Sequence, residues 1–234
     1  MKNPIIALHG FLGLPEDWDH LQMLQLHGID LNSFQWNSLD DCGKHICGIA
    51  SENIKDEKPI LMGYSLGGRI ALHALIQQPK LWKAGMIISA HPGLDTEAEK
   101  RNRFNLDESW ARRFEEEEWD SLIDAWNRRA VFAEDNYHFQ RDESKYNRKE
   151  LAAMLINGSL GNQANLLQQI EELPMPILWV VGEKDSVYLK IAKKIIFKNP
   201  KSRVLVVEDA GHRLVWQKPK VFKQLLNIFI ENLK

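Results

Sequence analysis

The chain has 234 residues, of which 44% are hydrophobic and 26% are charged, and its formal net charge is −2 at pH 7. This composition is that of an ordinary soluble globular chain, long enough for one large domain with a sizeable core. The near-balance of charges gives no electrostatic reason to expect nucleic acid or a membrane surface as a partner, and no apolar run reaches the roughly 18 residues of a membrane span.

Cysteine usage and the first residues limit the chemistry and the location. Cys42 and Cys47 form a C-x4-C pattern, and the chain has no other cysteine. A zinc site needs more ligands and a disulfide framework needs more pairs, so we expect reduced structural thiols and neither a metal nor a cofactor. The first ten residues lack the apolar run and cleavage site of a signal peptide, which predicts a cytoplasmic protein. We expect a monomer or a weak homo-oligomer.

Short apolar runs alternate with amphipathic segments along the chain. The runs predicted to be buried strands are residues 4–8, 28–34, 59–62, 84–89, 177–181 and 203–207. The segments predicted to be helices are residues 16–26, 41–54, 66–77, 186–197 and 221–233. This alternation predicts an α/β fold, with a mostly parallel sheet and helices on both of its faces.

One long segment interrupts the alternation. Residues 92–171 contain no predicted strand and are heavily charged, but aromatic and aliphatic residues recur at helical spacing over 107–114 and 119–126. Asp107 is expected to be the N-cap of the first of these helices. We therefore predict a core formed by residues 1–91 and 172–234, with residues 92–171 inserted in it as a helical lid.

A G-x-S-x-G motif at residues 63–67 gives the first candidate catalytic residue. A predicted strand ends just before Ser65 and a predicted helix begins at Leu66, which is the context of a nucleophile elbow. The glycines suit a strained turn in which side chains would collide with neighbouring elements. We predict that Ser65 is the catalytic serine. The alternative is a small residue in a tight strand-to-helix turn.

A catalytic serine needs a histidine, and the histidine needs an orienting acid. Two predicted strands near the C-terminus end in short turns that carry Asp185 and His212. The chain order serine, aspartate, histidine is that of the α/β-hydrolase fold. We predict Asp185 as the acid, with Glu183 and Asp209 as alternatives earlier in their turns.

The oxyanion hole of such a site is formed by two backbone N–H groups. Leu66, directly after the serine, is expected to supply one. The glycine-containing turn after the first strand is expected to supply the other from Phe11. His9, in the same turn, is expected to support the loop by hydrogen bonds.

Arg69 lies four residues after Ser65 on the same predicted helix, so the two side chains share a face. A guanidinium group in this place can hold a carboxylate through two parallel hydrogen bonds, for which a neutral ester has no use. Most of the other arginines near the start and middle of the lid are expected to be solvated and paired with glutamates. They are Arg101, Arg103, Arg112, Arg113, Arg128 and Arg129.

Several motifs together resemble those of the 2-succinyl-6-hydroxy-2,4-cyclohexadiene-1-carboxylate synthases, a menaquinone-pathway family with the α/β-hydrolase fold. In chain order they are H-G-F at 9–11, G-Y-S-L-G-G-R at 63–69, H-P-G-L at 91–94, R-x-R at 101–103, W-x-x-R-F at 110–114, W-x(5)-F at 126–132, L-A-A-M-L at 151–155, G-E-K-D at 182–185 and G-H at 211–212. The first motif and G-x-S-x-G occur across the superfamily, whereas Y-S-L-G-G-R, H-P-G-L and the lid pattern are far more specific.

The resemblance implies a lyase that eliminates pyruvate from 2-succinyl-5-enolpyruvyl-6-hydroxy-3-cyclohexene-1-carboxylate, giving 2-succinyl-6-hydroxy-2,4-cyclohexadiene-1-carboxylate. It implies that His212, oriented by Asp185, draws the proton of Ser65, whose oxygen removes a ring proton. The substrate is a small-molecule polycarboxylate. The residues expected to line its pocket, carried over by position, are Tyr64, Arg69, Arg103 and Trp126.

The sequence departs from the family pattern in three places. The segment that carries a further family arginine, between V-F-A and L-A-A-M-L, is shorter here, and Arg148 is the best substitute, with Arg141 next. Residues 31–36 replace a common L-P-G-H-G loop, and residues 215–217 replace the usual second histidine and glutamate.

Two other functions are compatible with the same residues. A carboxylesterase or an acyl-carrier-protein thioesterase would use the same triad for acyl transfer, with lid arginines meeting an acidic partner protein. A hydrolase fold kept as a small-molecule receptor would need no intact triad.

Overall fold

The computed structural model describes residues 3–53 and 57–233. At its centre is a six-stranded sheet in which every pairing is parallel, with the order β2-β1-β3-β4-β5-β6. The strands are β1 (Ile5–Leu8), β2 (Leu26–Ile29), β3 (Ile60–Tyr64), β4 (Ala84–Ile88), β5 (Ile177–Gly182) and β6 (Arg203–Val207). The predicted α/β fold with a parallel sheet is confirmed.

Helices cover both faces of the sheet. In chain order they are α1 (Leu39–Asn53), α2 (Leu66–Gln77), α3 (Glu97–Glu116), α4 (Trp119–Asn127), α5 (Arg148–Asn157), α6 (Leu167–Glu171), α7 (Ser186–Ala192), α8 (Leu214–Gln217) and α9 (Pro219–Glu231). The predicted end of α1 at Ile54 lies outside the described residues. Among the described residues, no helix is both long enough and apolar enough to cross a membrane.

Each face of the sheet has its own hydrophobic core, because successive side chains of a strand point to opposite faces. In β1, Ile6 and Leu8 pack on the side of α1 and α2, whereas Ile5 and Ala7 pack on the side of α9. The four strands β1, β3, β4 and β5 are buried along their whole length. This is the pattern of parallel strands covered on both faces, and it explains why they read as continuous apolar runs.

The edge of the sheet at β2 differs from the prediction. Residues 16–26 do not form one helix: a 3₁₀ helix covers Pro15–Leu21, and β2 begins at Leu26. The predicted strand 28–34 is therefore shifted toward the N-terminus. Pairing with β1, in which Ile5 lies opposite Leu26 and Leu8 opposite Ile29, sets these bounds, and local apolar pattern does not reveal that pairing.

The segment between β4 and β5 is helical, and none of its residues, all of which are described, belongs to a strand. Helices α3, α4 and α5 enclose an apolar cluster centred on Phe114, which is fully buried. This agrees with the helical character expected for residues 92–171. The division of the chain into core and lid stays a prediction.

The first lid helix begins much earlier than expected. Thr96, not Asp107, is the N-cap of α3: its hydroxyl accepts from the Glu99 N–H, and the Glu99 carboxylate accepts from the Thr96 N–H. Asp107 lies in the middle of α3 and is buried. An aspartate before an apolar run therefore resembled a helix start, although it serves a buried ion pair.

Both cysteines are free and buried against the core. Burial raises the pKa of the Cys47 thiol to about 11, so this thiol is protonated at neutral pH. The described structure thus agrees with two inert structural thiols.

The close packing of α2 on β1 can be tested with a pair of glycines. A Cβ atom at Gly67 would lie 2.3 Å from the Leu8 carbonyl oxygen and 2.4 Å from that of His9, whereas a Cβ at Gly48 in α1 would meet no atom within 4 Å. We expect Gly67→Ala to lower the free energy of unfolding by about 1–3 kcal/mol through overpacking. The matched change Gly48→Ala should raise it by about 0.5–1 kcal/mol, because alanine is the better helix former.

Urea denaturation followed by circular dichroism measures both changes. Equal stability of the Gly67→Ala protein and the unchanged protein would contradict the tight approach of α2 to β1.

Candidate active site

Ser65 lies in a sharp turn between β3 and α2. Its backbone has φ 53° and ψ −111°, a conformation that is rare for a residue with a side chain. The Ser65 N–H donates to the Ile88 carbonyl oxygen at 2.9 Å, which ties the turn to the end of β4. This is the geometry of a nucleophile elbow, with the serine side chain at the carboxyl edge of the sheet.

The side chains of Ser65, His212 and Asp185 form one hydrogen-bonded row. His212 Nε2 lies 3.1 Å from Ser65 Oγ, and His212 Nδ1 lies 2.6 Å from Asp185 Oδ2. The imidazole and the carboxylate are almost completely buried, with 2% and 5% of each residue exposed. The two alternative acids lie elsewhere: Asp209 is exposed and pairs with lysines, and the Glu183 carboxylate accepts from the Asp209 N–H.

Two neighbouring turns hold the histidine in place. The Ser89 hydroxyl, after β4, donates to the His212 carbonyl oxygen at 3.1 Å. At the end of β5, a Cβ atom at Gly182 would lie 2.3 Å from the carbonyl oxygens of Ala210 and Gly211. A glycine at this place lets the turn that carries the aspartate pass close to the turn that carries the histidine.

Phe11 and Leu66, the residues expected to form the oxyanion hole, both line the cavity beside the serine. The backbone N–H groups of these two residues have no hydrogen-bond acceptor within the described part of the chain. His9 supports the turn as expected: its Nδ1 donates to the Gly10 carbonyl oxygen, and its Nε2 accepts from the Leu31 N–H. Next to the serine there are thus two backbone N–H groups that donate to no residue in ranges 3–53 and 57–233.

A cavity of about 460 Å³ lies between these turns and the helices of residues 92–171. Four of the residues expected to bind substrate line it, and they come from both sides. They are Tyr64, Arg69, Arg103 and Trp126.

Aromatic rings form much of the cavity wall. Trp126 packs against Phe11, with ring centres 4.7 Å apart, and so joins the lid to the turn after β1. Tyr64 lies 5.4 Å from the His212 ring and 4.8 Å from the Trp216 ring. Burial raises the pKa of Tyr64 well above its usual value, so its hydroxyl stays protonated.

Arg69 is a buried cation without a carboxylate partner among the described residues. Its Nε donates to Gln163 Oε1 at 2.6 Å, while one of its terminal nitrogens has no hydrogen-bond partner there. Gln163 is itself fixed, because its amide donates to the His91 carbonyl oxygen at 3.1 Å. Burial, together with the positive charge of Arg103, lowers the pKa of Arg69 to about 9. The cavity therefore contains a buried positive charge that has no counter-ion among the described residues.

Arg103 is held by an ion pair inside the lid. Its Nε lies 2.9 Å from both carboxylate oxygens of Asp107, which also accepts from the Ser159 hydroxyl at 2.8 Å. The position of Asp107 in mid-helix, four residues after Arg103, makes this pair possible.

The expected role of Arg148 does not fit this geometry. Arg148 does not line the cavity; its guanidinium donates to the Glu117 carbonyl oxygen and lies 3.1 Å from the Glu143 carboxylate. Arg141, the second substitute, does line the cavity, but it is bound through two hydrogen bonds to Asp17. Arg148 is the first residue of α5, and its contacts with Glu117 and Glu143 hold its guanidinium outside the cavity, which the sequence pattern alone did not reveal.

Sequence reasoning missed several cavity residues. Tyr188 follows Asp185 by three residues in α7, and its ring lies 4.6 Å from that of His212. The helical spacing from the aspartate could have suggested it. Arg129 also lines the cavity, although the sequence pattern placed it among the solvated lid arginines, because an arginine next to another arginine carries no local signal. Gln163, which holds Arg69 but does not itself line the cavity, went unassigned, because a lone glutamine between two turns carries no such signal either.

Similarity to known proteins covers nearly the whole chain. A family model described as "Alpha/beta hydrolase family" matches residues 5–225. The chain is 35% identical to a 2-succinyl-6-hydroxy-2,4-cyclohexadiene-1-carboxylate synthase of Klebsiella pneumoniae, over 89% of this chain and 86% of that protein. A protein of the same name from Photorhabdus laumondii is 30% identical, over 97% and 84%.

A solved structure, titled "Structure of MenH from S. aureus", superposes on the whole chain with a TM-score of 0.88, at 22% identity and over 95% of its own length. At this identity the superposition bears on the fold. The relatives with 30% and 35% sequence identity show the narrower family within that fold. The chain therefore belongs to the α/β-hydrolase family and, within it, to the 2-succinyl-6-hydroxy-2,4-cyclohexadiene-1-carboxylate synthases.

Proposed function

We propose that the protein is a lyase of menaquinone biosynthesis that eliminates pyruvate from 2-succinyl-5-enolpyruvyl-6-hydroxy-3-cyclohexene-1-carboxylate. The product is 2-succinyl-6-hydroxy-2,4-cyclohexadiene-1-carboxylate. The names of the sequence relatives support this reaction. The observation that carries it in this chain is Arg69, a buried cation one helical turn from Ser65 that has no carboxylate partner in the described part of the chain.

Arg69 favours a substrate that carries a carboxylate, because a buried charge without a partner has a high free-energy cost. A carboxylate of the substrate would supply the missing counter-ion and bond the terminal nitrogen of Arg69 that has no partner among the described residues. A neutral ester offers no such charge. The arrangement therefore suits a polycarboxylate better than a simple ester.

In the proposed mechanism, the serine acts as a base rather than as a covalent nucleophile. His212 Nε2 takes the Ser65 proton, and the serine oxygen takes a proton from the substrate ring. The electrons of the broken C2–H bond form a C2=C3 double bond, the existing C3=C4 double bond shifts to C4=C5, and the C5–O bond to the enolpyruvyl group breaks. The leaving group takes the electrons of that bond as the enolate of pyruvate. It then takes up a proton at carbon to become pyruvate, while the His212 imidazolium gives up the proton that it took from Ser65. Asp185, 2.6 Å from Nδ1, orients the imidazole and stabilises its positive charge.

The two free N–H groups beside the serine have a place in this mechanism. As the ring proton leaves, negative charge develops on the substrate, and backbone donors that are already fixed stabilise it without reorganisation. Phe11 and Leu66 line the cavity next to Ser65 and are the candidates. The walls formed by Tyr64 and Trp126 keep the site apolar around these donors, which strengthens such bonds.

The triad can be tested by substitution. We expect Ser65→Ala, His212→Ala and Asp185→Asn each to lower kcat by at least about a hundredfold, because each removes part of one proton-transfer unit. For the same reason, combining two of them should add little to the larger single effect. Pyruvate release from the enolpyruvyl substrate is measured with a coupled lactate dehydrogenase assay, and circular dichroism verifies folding. Turnover near that of the unchanged protein in Ser65→Ala would show that the serine is misassigned.

Arg69 separates the lyase from an esterase. We expect Arg69→Ala to lower kcat/KM for the polycarboxylate substrate by roughly ten- to a hundredfold, since it removes a charge-assisted contact worth about 1.5–3 kcal/mol. Hydrolysis of p-nitrophenyl acetate, if the protein catalyses it, should not change in parallel, because that ester has no carboxylate.

A matched control is Arg112→Ala. Arg112 lies on the exposed side of α3, paired with Glu108, and does not line the cavity. Its loss should change neither reaction by more than about twofold, as is usual for an exposed ion pair. Equal damage to both reactions in Arg69→Ala, with a lower melting temperature, would assign Arg69 to support of the elbow instead.

A further inference from the structure

Arg129 is a second cavity arginine whose surroundings do not explain it. It lies just after α4, inside the stretch between Trp126 and Phe132, and it lines the same cavity as Ser65. From the sequence it was expected to be one of several solvated lid arginines paired with glutamates. Its contacts differ from that expectation.

The arginines of the cavity fall into two groups. Three have an acid partner: Arg103 pairs with Asp107 at 2.9 Å, Arg141 with Asp17 at 2.8 Å, and Arg213 with Asp135 at 3.9 Å. Arg69 and Arg129 have no such ion pair with any residue in ranges 3–53 and 57–233.

The contacts of the Arg129 side chain with two tryptophan rings leave its hydrogen-bond donors without an acceptor among the described residues. The guanidinium lies over the Trp126 ring, 4.1 Å from its centre, and 5.4 Å from that of Trp110. Stacking uses the face of the guanidinium, whereas its N–H groups point outward in its plane. Within the described part of the chain, the side chain of Arg129 has no hydrogen-bond acceptor.

Arg113 shows that an arginine stacked on a tryptophan can still use its hydrogen-bond donors. It lies 4.1 Å from the centre of the Trp110 ring and still binds the Glu117 carboxylate through two nitrogens, at 2.7 and 2.9 Å. Arg113 does not line the cavity. Of these two stacked arginines, Arg129 lines the cavity, and it is the one whose guanidinium N–H groups have no acceptor among the described residues.

The electrostatics of the cavity point the same way. Burial, followed by the positive charge of Arg103, lowers the pKa of Arg129 to about 10, so it stays protonated at neutral pH. Burial and the charges of Arg69 and Arg103 lower the pKa of His91 to about 4, which keeps this cavity histidine neutral. Arg69, Arg103 and Arg129 carry three positive charges, and Asp107 supplies one negative charge beside them. About two positive charges are therefore left without an acid partner among the described residues.

We propose that Arg129 binds a carboxylate group of the substrate and takes the role that the sequence pattern suggested for Arg148. Stacking on Trp126 holds the guanidinium with its fork toward the cavity, where a planar carboxylate can accept two parallel hydrogen bonds. With Arg69 as the other unpaired cation, the cavity is built for a ligand with at least two separated carboxylates. This inference rests on the proposed function for the identity of the substrate, but the anion site itself does not.

The test measures binding and turnover separately. Binding of tricarballylate, an unreactive tricarboxylate, is measured by calorimetry, and pyruvate release is measured on the enolpyruvyl substrate. The variants are Arg129→Gln and Arg129→Lys. The matched control is Arg128→Gln, because Arg128 is the preceding residue, with 77% of its side chain exposed and a salt bridge to Asp124. Arg148→Gln tests the position favoured by the sequence pattern.

We expect Arg129→Gln to weaken tricarballylate binding and to lower kcat/KM by roughly ten- to a hundredfold, the effect of losing one charge-assisted contact. Arg129→Lys should recover part of each loss, since it keeps the charge but not the planar fork. Arg128→Gln and Arg148→Gln should stay within about twofold of the unchanged protein. If Arg129→Gln does not fold, the Arg129→Lys protein, compared with Arg128→Lys, provides the same test.

The outcomes separate the two proposals. If the unchanged protein releases no pyruvate but binds tricarballylate through Arg129, the proposed function fails and the anion site stands. Unaltered binding and turnover in Arg129→Gln would overturn the inference and make the residue a structural partner of Trp126. An equal loss in Arg128→Gln, or no binding of tricarballylate by the unchanged protein, would overturn it as well.

Discussion

The candidate site depends on one backbone constraint, the turn in which Ser65 adopts a positive φ between β3 and α2. This conformation costs free energy, of the order of 1–3 kcal/mol, and persists only where the surroundings enforce it. Close packing of Gly67 on β1 and the bond from the Ser65 N–H to the end of β4 are the enforcing contacts. Because the turn is fixed, the hydroxyl, the start of α2 and Arg69 one turn further have fixed relative positions. The proposed roles of the histidine and of the two backbone donors depend on that fixed serine.

The helices of residues 92–171 contribute charge and apolar surface to the cavity, whereas Ser65, Asp185 and His212 come from the turns beside the sheet. Trp126 packs on Phe11 from the core, so the helices and the turn after β1 share one wall. Arg69 is buried and Arg129 is half-buried, so water screens their charges less, and they attract anions more strongly than an exposed arginine would. Acid partners neutralise Arg141 and Arg213 in the same cavity. The unpaired positive charge is thus confined to one part of the cavity. Such an uneven distribution of charge can orient an asymmetric polycarboxylate.

Prediction from the sequence succeeded where the signal is local. The buried parallel strands read as apolar runs, and the elbow is marked by a motif of five residues between a strand and a helix. It failed where pairing or packing decides the outcome. Alignment with β1 set the bounds of β2. Asp107 looked like a helix start because aspartate is a common N-cap, but Thr96 and Glu99 cap the helix and Asp107 binds Arg103 in its interior. Arg148 matched a family pattern, yet the Glu117 carbonyl oxygen and the Glu143 carboxylate hold its guanidinium outside the cavity.

The sequence by itself determined the α/β class, the order of serine, aspartate and histidine, and the presence of a cation one turn beyond the serine. These features follow from apolar periodicity and from the spacing of nearby residues in the sequence. Both can be recognised within a short stretch of the chain. Only the tertiary structure decided which arginines keep their charge unpaired. That depends on whether an acid from a distant segment comes within reach, as Asp17 does for Arg141 and as none of the described residues does for Arg129. The choice of counter-ion is therefore a property of the folded cavity.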